Sequence, residues 1–210
     1  MIKPESIFFD MDGTLWDGVS TYVLSWNETF IELNIDKTLS REDIFSYMGM
    51  EEKEYLDNVL PEYSEEEQKD IYEMSIIKQK ELILERGGVL YNYVKIGIKK
   101  LYEKYPLFIV SNCPKDIIRS FLKWSDMETL FKDYIAHGDN YQSKSENIKM
   151  LMQKHSLNSA VYVGDTESDY RFASEAGIDY IHMTYGFGNA KHYSMSFDNF
   201  KDFTDYFINL

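Results

Sequence analysis

The sequence predicts an α/β protein whose parallel sheet is interrupted, directly after its first strand, by an all-helical insertion. Three observations carry that expectation. The apolar, β-favouring run Ile7-Phe8-Phe9 breaks abruptly into Asp10-Met11-Asp12-Gly13-Thr14, the pattern of a buried parallel strand with an exposed C-terminal end. From Gly18 to Gly88 only helical patterns occur, with no strong strand candidate. From Val94 onward strand and helix patterns alternate, as a parallel sheet requires.

Taken in order, Val23, Trp26, Phe30 and Leu33 fall at helical spacing within a helix expected from Val19 to Leu33. Ser40 and Asp43 stand at N-cap and capping-box positions for a second helix. A short helix, Glu51 to Leu60, is expected to end at Pro61, after a break at Met48-Gly49-Met50. Ser64 opens a longer one whose first turn, Glu65-Glu66-Glu67, suits the helix dipole, running to Arg86 and closed by Gly87-Gly88. The alternating part begins with a helix from Val94 to Tyr105 and the strand Leu107-Val110, which ends in Ser111-Asn112. Pro114 is expected to open a helix through Trp124. There follow a short strand at Tyr134-Ala136, a helix from Ser145 to His155, and the strand Ala160-Val163 ending in Gly164-Asp165. Last come a helix from Thr166 to Ala176 closed by Gly177, the strand Tyr180-Met183, the loop Tyr185-Gly186-Phe187-Gly188-Asn189, and a helix from Phe200 to Ile208. The boundaries expected are therefore a core of 1–17 with 89–210, and a helical domain of 18–88.

Composition narrows the function. With 210 residues, 44% of them hydrophobic, the chain can bury a sizeable core. A net charge of -14 disfavours nucleic acid or an anionic membrane as partner, because both need a basic surface. Any anionic substrate must then be held by local positive charge. No apolar run reaches the ~18 residues of a transmembrane helix, and the N-terminus lacks signal-peptide features. The single cysteine, Cys113, fits a reducing compartment, so a cytoplasmic location is expected.

The chemistry-bearing residues gather at strand ends. Asp10 and Asp12 follow the first strand, Ser111 and Asn112 the second, Asp165 and Asp169 the fourth, and Lys144 precedes a helix leading to that fourth strand. Each alone has an ordinary reading: Asp-x-Asp-Gly as a cap and turn, Ser-Asn as a turn, Lys as solvated surface, Asp165 as an N-cap. Strand ends of a parallel sheet converge on one crevice, however. Carboxylates meeting there repel unless a cation or a proton intervenes, and a small set of oxygen ligands suits Mg²⁺.

With these four segments in order, Asp10-Met-Asp12-Gly-Thr14, Ser111-Asn112, Lys144 and Gly164-Asp165-Thr-Glu-Ser-Asp169, the chain resembles the haloacid dehalogenase (HAD) superfamily. The likeness is to its phosphatases with a helical cap after the first strand, of the phosphoglycolate-phosphatase-like branch. The resemblance covers nearly the whole chain, the Tyr185-Gly188 loop included. It implies a doubly wound, Rossmann-like core and Mg²⁺-dependent hydrolysis of a small phosphorylated metabolite through an aspartyl phosphate. By the same resemblance Asp10 is the nucleophile and Asp12 the general acid and base. The metal falls to Asp10, the Asp12 carbonyl, Asp165 and Asp169, and the phosphate to Thr14, Ser111, Asn112 and Lys144. The cap implies a lid, hinged near 16–18 and 87–91, with Tyr47, Gly49 and Met50 facing the substrate and setting specificity; Met48 and Arg41 are weaker candidates.

Asp12 disfavours a dehalogenase, since a halide leaving group needs no proton. None of Lys37, Lys53, Lys69, Lys78 and Lys80 has the context of the Schiff-base lysine of the phosphonate-cleaving branch. The chain departs from the commoner pattern at Ser145-Glu146-Asn147 after Lys144, at Asp17-Gly18 and at Tyr91-Asn92-Tyr93. A phosphosugar mutase on the same scaffold is the alternative, and a non-catalytic binding protein retaining the fold a further one. No role is expected for His137, His155, His182 or His192, which lack metal-ligand spacing, nor for Cys113. Oligomeric state is not legible.

Overall fold

The computed structural model describes residues 3–50 and 52–210. It comprises two compact units, one of Met1–Asp17 with Val89–Leu210 and one of Gly18–Gly88. In chain order the elements are β1 (Ser6–Phe9), β2 (Trp16–Asp17), α1 (Val19–Glu32), α2 (Arg41–Tyr47), α3 (Glu52–Val59), α4 (Glu65–Arg86), β3 (Val89–Leu90), α5 (Val94–Tyr102) and β4 (Leu107–Ser111). They continue with α6 (Ile117–Ser125), a 3-10 turn (Glu128–Leu130), β5 (Asp133–Ala136), α7 (His137–Asn140), α8 (Lys144–Lys154), β6 (Ala160–Gly164), α9 (Glu167–Ala176), β7 (Asp179–Met183), β8 (Met195–Phe197) and α10 (Phe200–Asn209).

Six strands of the first unit form one sheet in the order β5-β4-β1-β6-β7-β8, with every pairing parallel. From β1 the chain builds outward through β4 and β5, then returns to the other side of β1 for β6, β7 and β8. The reversal puts a topological switch point between β1 and β6, where the C-terminal strand ends open a crevice. Register aligns Phe9 with Ile109 on one side and Val163 on the other, so Asp10, Ser111 and Asp165 leave the sheet along one edge.

Alternation along β1 feeds two apolar layers. Phe8 stacks on Phe108 with ring centroids 4.6 Å apart and joins Val110, Tyr162 and Tyr180 in a cluster closed by Ile148, Leu151 and Ala173 of α8 and α9. Phe9 faces the other way, with Phe200 and Phe203 of α10 at 6.1 and 5.9 Å. The α/β, doubly wound class expected from the sequence is the class observed.

The second unit is helical throughout its described residues. Both expected capping boxes form, at Ser40 with Asp43 and at Ser64 with Glu67. α1 packs on α4 around Trp26, which stacks on Tyr72 at 6.0 Å and donates its indole N–H to Tyr55 at 2.6 Å. The Thr21 hydroxyl donates to the Gly87 carbonyl, tying the start of α1 to the end of α4.

Local differences from expectation have physical causes. The helix expected from Pro114 begins at Ile117, because Asp116 sits at φ 68 and Gly138 of α7 packs on the Pro114–Lys115 backbone. Lys144 does not precede its helix but opens it, with Ser143 as the N-cap accepting from Glu146 N–H at 3.2 Å. Thr166, not Asp165, caps α9. Glu51, expected to begin a helix, lies outside the described residues. The strands β2, β3 and β8 and the helix α7 were not foreseen, being too short for a periodic signal. β2 pairs antiparallel with β3, and its Trp16 is buried against Phe121 and Trp124 at 4.9 and 5.6 Å.

Tyr162 tests the packing of the sheet. It is fully buried and donates its hydroxyl to the Val110 carbonyl at 2.7 Å, bridging β6 to β4. Tyr162→Phe removes only that bond, and the expected outcome is a loss of about 1 kcal/mol in urea-unfolding free energy with the fold retained.

Candidate functional site

Asp10 is the first residue beyond β1, fixed there by donation of its backbone N–H to the Val163 carbonyl at 2.8 Å. Asp165 occupies the equivalent place after β6, and Asp169 lies in the first turn of α9. All three carboxylates are buried, and each offers an oxygen within 4.8 Å of the others. The one cation among them is Lys144, itself buried, with Nζ 3.1 Å from Asp10 Oδ1 and 2.8 Å from Asp169 Oδ1.

The carboxylate oxygens are not equally committed. Asp169 Oδ2 accepts from the Asp165 and Thr166 N–H groups at 3.3 and 3.1 Å and from the Thr166 hydroxyl at 2.7 Å, and its Oδ1 accepts from Lys144. Asp165 Oδ2 accepts from the Phe187 and Gly188 N–H groups at 2.7 and 3.0 Å. Among the described residues its Oδ1 has only the Thr14 hydroxyl, at a long 3.4 Å. Asp10 Oδ1 has no hydrogen-bond partner among the described residues, and the Lys144 ammonium stands at ion-pair distance from it.

Three buried carboxylates facing one ammonium leave negative charge without a partner. Burial, with the Asp169 charge adding to it and Lys144 opposing, pushes the Asp10 carboxyl up to about 6. Burial and the charges of Asp169 and Asp10 push Asp165 up to about 7, against the pull of the Gly188 and Phe187 amides. Burial alone would lower the Lys144 ammonium, but Asp10 and Asp169 more than offset it and hold it charged. A hard divalent cation fits this donor set, because the uncommitted oxygens belong to Asp10 and Asp165 while Asp169 is saturated. The space around Asp165 is cut to backbone size. A Cβ on Gly13 would collide with the Asp165 carboxylate, and one on Gly186 with both Asp165 and the Gly13 carbonyl.

Asp12 is half-buried in the turn after β1, where its backbone bridges to Trp16. Ser111 is buried at the end of β4 and Asn112 follows it, half-buried. Thr14 is buried, and its carbonyl accepts from the Tyr185 hydroxyl at 2.6 Å. Tyr47, Gly49 and Met50 belong to the helical unit, whereas the acids and Lys144 all belong to the α/β unit. Tyr47 is half-buried with its ring edge-on to Tyr55 at 6.2 Å, Gly49 is exposed at φ 84, and Met50 lies by Asn58. The Arg41 guanidinium donates to the Ser20 hydroxyl at 3.0 Å. The Cys113 thiol is buried, and burial drives its pKa far up.

Two features escaped sequence reasoning. His182 is buried in β7 with Nε2 3.2 Å from the Asp165 carbonyl. A carbonyl only accepts, so Nε2 carries the proton; burial holds the ring neutral. Its strand register opposite Gly164 is the signal that would have found it. The second is the use of the Tyr185–Gly188 loop, whose backbone rather than its side chains serves Asp165.

The raised carboxyls set a pH dependence. A carboxyl whose folded pKa lies above its ordinary 3.8 contributes stability that is complete below that value. The contribution is lost as pH rises through about 6 for Asp10 and about 7 for Asp165. In EDTA, unfolding free energy is therefore expected to fall between about pH 4 and about pH 7, and Asp165→Asn is expected to make that fall shallower. Parallel urea titrations of the two proteins read the difference.

A family model described as haloacid dehalogenase-like hydrolase matches residues 7–183. The chain is 28% identical over 179 residues to pyrophosphatase PpaX of Listeria monocytogenes, covering 83% of this chain and 80% of that one. It is 26% identical over 197 residues to a phosphoglycolate phosphatase of Colwellia psychrerythraea, covering 88% and 86%. A solved structure from Haemophilus somnus, described as a predicted phosphoglycolate phosphatase, superposes with a TM-score of 0.85 at 23% identity, over 98% of this chain and 99% of that one. No helix among the described residues is long and apolar enough to cross a membrane. The family match, on a chain whose buried acids meet at the switch point of a parallel sheet, makes this protein a member of the haloacid dehalogenase-like hydrolase family, and hence an enzyme.

Proposed function

We propose that the protein is a Mg²⁺-dependent phosphatase acting on a small phosphate monoester. The observation that carries the reading is Asp10 Oδ1, a buried carboxylate oxygen without a hydrogen-bond partner among the described residues, beside an ammonium and two further acids. Asp10 attacks phosphorus, the bond from phosphorus to the ester oxygen breaks, and an aspartyl phosphate forms. Asp12 gives its proton to the departing alkoxide, then takes one from the water that attacks the aspartyl phosphate. Inorganic phosphate leaves and Asp10 is regenerated. Asp10, Asp165 and the Asp12 carbonyl would hold the cation with Asp169 in support, and the ion when bound supplies neutralising charge for an anionic transition state. Lys144 serves the same charge need from the protein side, and Ser111, the Asn112 amide and Thr14 orient the phosphoryl oxygens.

The relatives' names point to substrates for trial, phosphoglycolate and pyrophosphate among them, and their small size agrees with the metabolite expected. Tyr47, Gly49 and Met50 are the specificity positions this reading puts to mutation first.

Asp10→Asn is expected to abolish phosphate release from p-nitrophenyl phosphate, a loss of at least about 10³-fold, while circular dichroism stays unchanged. Wild-type-like turnover in that variant would remove Asp10 as nucleophile. EDTA is expected to stop the reaction and Mg²⁺ to restore it; hydrolysis persisting without metal would sink the metal assignment. Release of phosphate with no sugar bisphosphate present separates a phosphatase from a mutase.

A further inference from the structure

The loop that holds Asp165 has a second anchor outside the acid cluster. Beyond Phe187 and Gly188, the Lys191 N–H donates to Glu167 Oε2 at 2.6 Å and the His192 N–H reaches the same oxygen at 3.4 Å. His192 Nδ1 lies 2.6 Å from Glu167 Oε1, and its ring stacks on Tyr170 of α9 at 5.1 Å with 26° between planes. The side chains of Glu167 and His192 are substantially exposed, 44% and 62%, so an isolated ion pair between them would be worth little. Here two backbone amides and a ring nitrogen of one loop meet a single carboxylate. That set of hydrogen bonds fixes backbone rather than a floppy side chain. The segment 186–192 is thus gripped by Asp165 at one end and by Glu167 at the other.

We propose that Glu167 is a positioning residue for the cation site. By fixing Lys191 and His192 it keeps the Phe187 and Gly188 amides on Asp165 Oδ2, so that Asp165 Oδ1 is the oxygen left for the metal. Outer contacts that orient a ligand raise metal affinity without touching the ion. The part concerning the cation rests on the magnesium reading above; the clamp itself does not.

Two measurements on the full-length protein test it. In hydrogen–deuterium exchange of metal-free protein, Glu167→Ala is expected to speed exchange in the peptide covering 186–193 and to leave the sheet peptides unchanged. Glu167→Gln keeps a carbonyl oxygen for the Lys191 N–H and is expected to exchange like wild type. In calorimetric titration with MgCl₂, Glu167→Ala is expected to bind about 3–10-fold more weakly, and Glu167→Gln within about twofold of wild type. Unchanged exchange in Glu167→Ala overturns the clamp. Equal weakening in both variants also overturns it, because that marks lost charge rather than lost anchoring. Faster exchange with unchanged Mg²⁺ affinity overturns the positioning role. No binding heat in wild type overturns the magnesium reading and the cation part with it, while the exchange data still decide the clamp.

Discussion

The buried ammonium of Lys144 is the interaction on which the site depends. Three carboxylates are brought within 4.8 Å of one another in a protein that already carries a net charge of -14. Without a cation between Asp10 and Asp169 the strand ends of β1 and β6 would be driven apart or protonated. Removing one partner of such a buried pair costs on the order of 3–5 kcal/mol in proteins generally. Even so, one ammonium against three acids is an incomplete balance, and the raised carboxyls of Asp10 and Asp165 are its expression. A site left short of positive charge is well matched to a divalent cation.

Around that imbalance the fold assigns each acid a different freedom. Asp169 spends both oxygens on Thr166, on the Asp165 amide and on Lys144, so it frames the site. Asp165 spends one oxygen on loop amides and keeps the other nearly free. Asp10 Oδ1 has Lys144 at ion-pair distance and no hydrogen-bond partner among the described residues. This gradient in hydrogen bonding distinguishes the three acids by what each oxygen already holds. Chemical identity alone could not, since all three are aspartates. His182 adds a further constraint by donating to the Asp165 carbonyl from the neighbouring strand.

The elements that sequence revealed are those whose signals are local. Apolar runs such as Ile7-Phe9 and Ala160-Val163 read as buried strands because burial on both faces removes polar alternation. Ser40, Ser64 and Gly177 marked helix ends through capping chemistry that lies within a few residues. The two-residue strands β2 and β3 carried no such signal, because their pairing joins segments about seventy residues apart. The late start of α6 was equally hidden, since it follows from Gly138 packing on the Pro114–Lys115 backbone from a separate segment.

By itself, then, the sequence determined the chemical inventory: which acids, which lysine and which glycines stand at strand ends, and that the strands are parallel. Those are properties of residue type and spacing. Which oxygen of each acid is committed, which amides commit it, and that His182 and Glu167 brace Asp165 and its loop were decided only by tertiary structure. The reason is geometric, because the contacts link β6 and α9 to β7 and the loop beyond it, and no periodicity within one segment encodes the distance to another.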